Sequence, residues 1–198
     1  MSVLNSSAAL IFNALGGLYL LAVLLRFLLQ IAKADFYNPV SQTVIRVTDP
    51  AIKVFRSFIP GYRGIDFSSL MLAFVVEAAA ICILILLYGG NIPEISLILT
   101  WAFVGVIYFI LNIYWWAVIA SIVMSWIMAA SGNMNPHYIL RLIWQLTEPI
   151  MAPVRKVVPP MGGLDFSPII FFVLISLIQN TLTQNFGMGQ LAAVIIGI

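Results

Sequence analysis

The chain alternates between long apolar stretches and shorter polar ones rich in proline. Apolar character, broken only by scattered polar residues, runs over residues 8–31, 69–88, 95–130 and 168–186. A hydrocarbon core of about 30 Å takes ~20 apolar residues in a helix, so each stretch predicts a membrane-spanning helix. A last apolar run, 191–198, is too short to cross. The intervening segments, 32–67 and 132–166, keep a helical spacing with one apolar face. Val40, Val44 and Val47 mark it in the first segment, and Ile139, Leu142, Ile143 and Leu146 in the second.

Local signals delimit these shorter helices. Asn38 and Asn135 are N-cap candidates, each followed by a proline, Pro39 or Pro136, at the first helical position. Thr48-Asp49-Pro50 and Thr147-Glu148-Pro149 are expected to end the helices, because the residue before proline avoids the helical region. A second amphipathic segment follows in each. Ile52, Phe55, Phe58 and Ile59 oppose Lys53 and Arg56, and Ile150, Met151, Val154, Val157 and Val158 oppose Arg155 and Lys156. Pro60 and Pro159 stop these segments, Gly64 and Gly163 turn the chain, and Ser68 and Ser167 cap the next span. Such segments lie in the membrane interface with their cations near lipid phosphates.

Composition sharpens the class. Hydrophobic residues make up 63% of the 198 residues and charged residues 8%, with a mean hydropathy of +1.09. Ordinary globular chains carry about 25% charged residues. A secreted domain, a disordered tail and a cytosolic enzyme are excluded, leaving an all-α, multi-pass membrane protein. With one cysteine, Cys82, no disulfide can form within the chain. Residues 1–7 lack the basic stretch of a cleaved signal peptide, so the first run is expected to be retained.

All nine basic residues fall within 26–63 and 141–156. The positive-inside rule places both polar loops in the cytoplasm, which requires an even number of crossings between them. The 36-residue run 95–130 therefore supplies one crossing, placed at about 105–128, with 95–104 as an interfacial or re-entrant lead-in. Four spans result, with both termini on the non-cytoplasmic side. No basic stripe exists for a nucleic-acid partner; the expected contacts are anionic headgroups and a second copy or another membrane protein.

A shift of 99 residues superposes the two loops. Eight of 21 positions are identical between 48–68 and 147–167, including Thr48/Thr147, Pro50/Pro149, Arg56/Arg155, Pro60/Pro159, Gly64/Gly163 and Asp66/Asp165. Asn38-Pro39 pairs with Asn135-Pro136 after a two-residue slip. The chain thus reads as two tandem copies, 8–97 and 98–198, each a span, a loop and a span. With both loops on one side the copies are parallel, unlike the inverted repeats of many transporters.

The stretch Asp35-Phe-Tyr-Asn-Pro-Val-Ser-Gln42, then Thr48-Asp-Pro, Arg56, Ile59-Pro60 and Gly64-Ile-Asp-Phe-Ser68, together with the second-copy counterparts of the last elements, resembles the YggT family of small bacterial inner-membrane proteins and their plastid relatives. The second copy lacks the Asp-Phe-Tyr that precedes Asn38 in the first. The resemblance implies a bacterial plasma-membrane location. It also implies a role linked to osmotic tolerance and potassium homeostasis or to division-site and membrane organisation, and in plastids to nucleoid distribution and cytochrome biogenesis. None of these defines a reaction, and no enzyme activity or cofactor is expected.

Candidate chemistry is sparse. Arg26 and Glu77 are the charges well inside spans, at similar depth from the loop side, and are candidates for an intramembrane pair or ion path. Glu77 has Ser176 as its repeat equivalent, so such a pair occurs once. Lys53, Arg56, Arg155 and Lys156 are headgroup or partner contacts. Asp66 and Asp165 read first as turn and cap residues with the arginines on phosphates, and second as loop partners of Arg56 and Arg155. His137, the single histidine, has no neighbours at metal-ligand spacing. Trp115, Trp116 and Trp126 read as packing and interface anchors, and Asn112, Gln179 and Asn180 as interhelical hydrogen-bonding groups.

Overall fold

The computed structural model describes residues 3–59, 61, 64–131, 137–158, 165–187 and 194–196. Six α-helices follow one another among them: α1 (Val3–Ile31), α2 (Pro39–Arg56), α3 (Phe67–Leu87), α4 (Ile95–Ser131), α5 (Tyr138–Val157) and α6 (Ser167–Asn185). Helices α1, α3, α4 and α6 are long and apolar enough to cross a membrane. Helices α2 and α5 join the spans of each pair, and both show one buried face. In α2 that face is Ser41, Val44, Thr48 and Ile52, a 3–4–4 spacing; in α5 it is Leu142, Leu146, Thr147 and Met151.

The two copies repeat one packing plan. In the first, α1 packs on α3 and α2 lies against both; in the second, α4 packs on α6 and α5 lies against both. The copies meet mainly through α3 and α4, with α1 also touching α4 and α5. The larger core gathers Leu20, Val23, Leu24, Ala73, Ile81, Leu84 and Ala102, and a smaller one forms around Val118, Met151, Phe171 and Ile175. Trp115 stacks near Phe172 with ring centroids 4.6 Å apart, whereas Trp116 and Trp126 face outward.

Three expectations are corrected. Residues 95–104 are not a separate interfacial or re-entrant element but the first turns of the 37-residue helix α4. A buried stripe, Ile98, Ala102, Val106, Phe109 and Ile113, ties these first turns and the middle of the helix to the bundle. The lone Gly105 costs only about 1 kcal/mol relative to alanine and does not break it. Pro50 and Pro149 do not end α2 and α5; both helices run through them, and α5 also through Pro153. Each proline occupies an exposed position, so the carbonyl it leaves without a donor is on the open side, where solvent or headgroups can satisfy it. On the buried side, Thr48 and Thr147 donate to the carbonyls of Val44 and Ile143 at 2.7 and 3.0 Å. Asn180 is not an interhelical group: its Oδ1 accepts from Gln184 Nε2 on the same helix, at 3.0 Å.

Candidate functional site

At the loop end of α1, Arg26 is nearly enclosed, with its side chain 9% exposed. Its Nη1 donates to Asp49 Oδ1 at 2.8 Å and to Thr48 Oγ1 at 3.0 Å, and reaches the Ile45 carbonyl at 3.4 Å. Its Nε lies 3.8 Å from Asp66 Oδ2. Asp66, buried just before α3, also accepts from Arg56 Nη2 at 2.7 Å and from Ser69 Oγ at 2.9 Å. Lys53 Nζ sits 3.6 Å from Asp49 Oδ2. One buried guanidinium therefore clamps α2 and the start of α3 to α1. The Arg26 hydrogen bond holds the Asp49 carboxyl below the usual carboxylate range. Burial pushes the Asp66 carboxyl up, but the hydrogen bonds from Ser69 and Arg56 outweigh it and the net direction is down.

The second copy has no charge in residues 115–131 to play the part of Arg26. There Arg155 takes both carboxylates, Glu148 of its own helix and Asp165 before α6. It donates from Nη1 to Glu148 Oε2 at 2.7 Å and from Nε to Asp165 Oδ2 at 3.0 Å. Asp165 Oδ1 accepts the Ser167 amide at 2.9 Å. Its carboxyl, raised by burial, is brought lower on balance by Ser167 and Arg155. The loop ion pairs Arg56–Asp66 and Arg155–Asp165 thus form in both copies, and Asp165 also keeps the turn bond expected of it. Ser68 and Ser167 do not act as side-chain caps. They donate to the carbonyls of Ile59 and Val158, at 2.6 and 3.3 Å, tying each span to the loop helix before it.

Arg26 and Glu77 do not pair. The arginine is taken by the α2 and α3 carboxylates, whereas Glu77, fully buried, accepts the backbone amide of Ile196 on Oε1 at 3.0 Å. Its Oε2 has no hydrogen-bond partner among the described residues. Val194, Ile195 and Ile196 are buried inside the bundle. Small residues admit them: a Cβ on Gly16 would lie 2.9 Å from Ile196 Cδ1, and one on Gly105 3.0 Å from Glu77 Oε1. The apolar run that is too short to cross is the one sequence signal for this insertion, and it carries no information on where the segment docks.

The first copy is tied to the second at the start of α2. Asn38 Oδ1 accepts the Val40 amide at 2.9 Å, the expected N-cap with Pro39 following, while its Nδ2 donates to the Tyr138 carbonyl of α5 at 2.7 Å. The Asp35 amide donates to Gln145 Oε1 at 3.0 Å. Of the Asp-Phe-Tyr found only in the first copy, Asp35 reaches the second copy through its backbone amide, while Phe36 and Tyr37 are exposed. Gly64 turns with φ +84°, a conformation that favours glycine. Lys53, Arg56 and Lys156 are exposed and Arg155 is partly so. Phe58 and Val157 also face outward, so the apolar stripes divide between the bundle and its surroundings. Pro60, Asn135, Pro136, Pro159 and Gly163 lie outside the described residues.

Four apolar spans, two one-sided connecting helices and a duplicated charge latch define a multi-pass helical membrane protein built by tandem duplication. The sequence model of the CCB3/YggT family matches residues 5–87 and 100–186, and the chain belongs to that family. It is 40% identical to an uncharacterized protein of Pseudomonas aeruginosa over 94% of this chain and 95% of that one. With the uncharacterized protein YggT of Escherichia coli K12 it shares 34% identity, covering 82% and 81% of the two chains. The chloroplastic protein CCB3 of Arabidopsis thaliana, named for cofactor assembly of complex C, is 32% identical over 43% of this chain and 47% of its own. No solved structure matches.

Proposed function

We propose that this chain is a non-catalytic membrane protein that helps organise or assemble a membrane complex, with α2 and α5 as its docking side. The observation that carries this reading is the pair of charge latches. In the first copy Arg26–Asp49 and Arg56–Asp66 lock α2 to both spans; in the second Arg155, paired with Glu148 of its own helix, ties α5 to Asp165 just before α6. This leaves Lys53 and Lys156 exposed on the same side. The Arabidopsis relative, named for cofactor assembly, supports an assembly role. The charge bias supports a bacterial plasma-membrane setting with α2 and α5 in the cytoplasm. The partners that fit are anionic headgroups and a second copy or another membrane protein.

Reversing Lys53 and Lys156 to Glu keeps every latch arginine and carboxylate and removes only the Lys53 contact to Asp49; K53Q with K156Q, which adds no charge beside Asp49, serves as the control. The double variant, K53E with K156E, should lose the membrane protein that crosslinks to the unaltered chain in its own host. Unchanged crosslinking removes the reading. Cysteines placed at 53 and 156 in a Cys82→Ser background should be labelled from the cytoplasmic face alone, and labelling from opposite faces overturns the orientation.

A second reading, osmotic-stress or potassium homeostasis, rests on the unpartnered Oε2 of Glu77 inside the span. Four apolar helices enclose little aqueous space, so this role calls for an oligomer. Liposomes holding the protein should then pass potassium at a rate altered by Glu77→Ala. Silent liposomes, with unchanged growth of a deletion strain at high osmolarity, remove it.

A further inference from the structure

Where α1 ends and α2 begins, a cavity of about 560 Å³ opens beside the Arg26 latch. Its polar lining is Arg26, Gln30, Lys33, Ser41, Asp49 and Arg56. Three cations thus face one lining carboxylate; Asp49 is engaged by Arg26 and Lys53, and Asp66, outside the lining, pairs with Arg56 and lies 3.8 Å from Arg26. Leu29 and Val44 give the cavity an apolar wall. We propose that this cavity is a binding site for a phosphate-bearing group, with an anionic phospholipid headgroup as its occupant.

The donors needed are present, and part of their capacity is unspent. Ser41 lines this cavity at 5% exposure, and its Oγ, itself covered, has no hydrogen-bond partner among the described residues, so a turn of the side chain presents it to a ligand. A buried hydroxyl without a partner is costly, and a phosphate oxygen supplies the acceptor. Lys33 forms no ion pair among the described residues. The hydrogen bonds of Arg26 and Arg56 to described residues leave from one nitrogen each, Nη1 and Nη2, so both guanidiniums keep further N–H groups.

Lys33 adds a conformational argument. The amide of Lys33 donates to the Gln30 carbonyl and that of Ala34 to Leu29, the paired bonds that close a helix through a left-handed residue. Glycine usually holds that place, yet here a lysine does, at φ +51°. The strained cap keeps a cation at the cavity, at the level where α1 leaves the apolar layer. The apolar wall and this interfacial depth favour a lipid headgroup over free phosphate, since the glycerol and upper acyl carbons of a lipid find cover there.

Lys33→Gly separates cap from ligand: glycine keeps the left-handed turn and removes the side chain with its ammonium. The full chain is exchanged into nanodiscs of phosphatidylcholine with a small fraction of phosphatidylglycerol, and retained phosphatidylglycerol is counted by native mass spectrometry after delipidation. Unaltered protein should retain one molecule. Lys33→Gly and Ser41→Ala should each lower that retention about fivefold or more, with thermal stability for Lys33→Gly equal or higher. Arg46→Gln removes an exposed α2 cation outside the cavity and should change nothing. A second arm offers inorganic phosphate to delipidated protein in detergent. A thermal shift lost in Lys33→Gly but no retained lipid upholds the site and assigns it to free phosphate. Retention and phosphate response unchanged in both cavity variants, or equally reduced by Arg46→Gln, overturn the proposal.

Discussion

The backbone amide of Ile196 donates to Glu77 Oε1 across 3.0 Å, joining residues 119 apart in sequence at the middle of the third helix. The contact explains how a carboxyl sits fully buried among apolar helices and why Gly105 faces it. Removing the acceptor leaves a buried N–H unsatisfied, which costs ~1–3 kcal/mol. Glu77→Ala should therefore lower the unfolding temperature in detergent, whereas Glu77→Gln, which keeps a carbonyl oxygen for Ile196, should lose much less. Gly105→Ala should resemble Glu77→Ala, because its Cβ would press on the carboxyl and on Ile195 at 3.0 and 3.1 Å. Equal stability of all three variants would contradict the contact.

The two arginine latches should differ in strength. Breaking a buried ion pair by deleting one partner costs roughly 3–5 kcal/mol, while exposed pairs contribute ~0–1 kcal/mol. Arg26 is nearly enclosed, but its partner Asp49 is one-third exposed and Asp66 keeps Arg56. Arg26→Ala should thus destabilise by about 2–3 kcal/mol, below the fully buried figure. Arg155, with 38% of its side chain exposed, should lose under about 1 kcal/mol on the same change. Denaturant titration followed by tryptophan fluorescence measures both, and a larger loss at Arg155 would reverse the ranking.

Acid should loosen the latches. The carboxyls of Asp49, Asp66 and Asp165 all titrate below the ordinary value in the folded protein. A depressed folded pKa gives stability that is fully present above the unfolded value, about 3.9, and lost as pH falls through the folded one. The latch contribution should therefore stay constant from pH 7 to about 5 and decline below about 4. Melting curves across that range in Arg26→Ala should show a weaker acid decline than in the unaltered chain.

Asn38 has two jobs that substitution can separate. Asn38→Asp keeps the cap on the Val40 amide and loses the donor to the Tyr138 carbonyl, while Asn38→Ala loses both. The alanine change should cost about 0.5–2 kcal/mol, the range for a lost N-cap. The aspartate change should leave α2 intact and raise hydrogen exchange at the start of α5. If aspartate leaves α5 exchange unchanged, the Asn38–Tyr138 bond does not hold the copies together.

The number of spans, the one-sided character of α2 and α5, the tandem duplication and the Asn38 cap were legible in the sequence. Each depends on neighbours within a few residues or on a repeated local pattern, and hydropathy acts on each segment by itself. The prolines misled because their cost depends on which way the bared carbonyl faces, and Pro50 and Pro149 face outward. The partners of Arg26 and Glu77 were decided only by tertiary structure. Equal depth in the membrane allows two charges to meet, but helix rotation determines which side chains do. Here rotation turns Arg26 to Asp49 and leaves Glu77 to a backbone amide from a distant segment, a choice set by how whole helix faces pack and not by any residue's own preference.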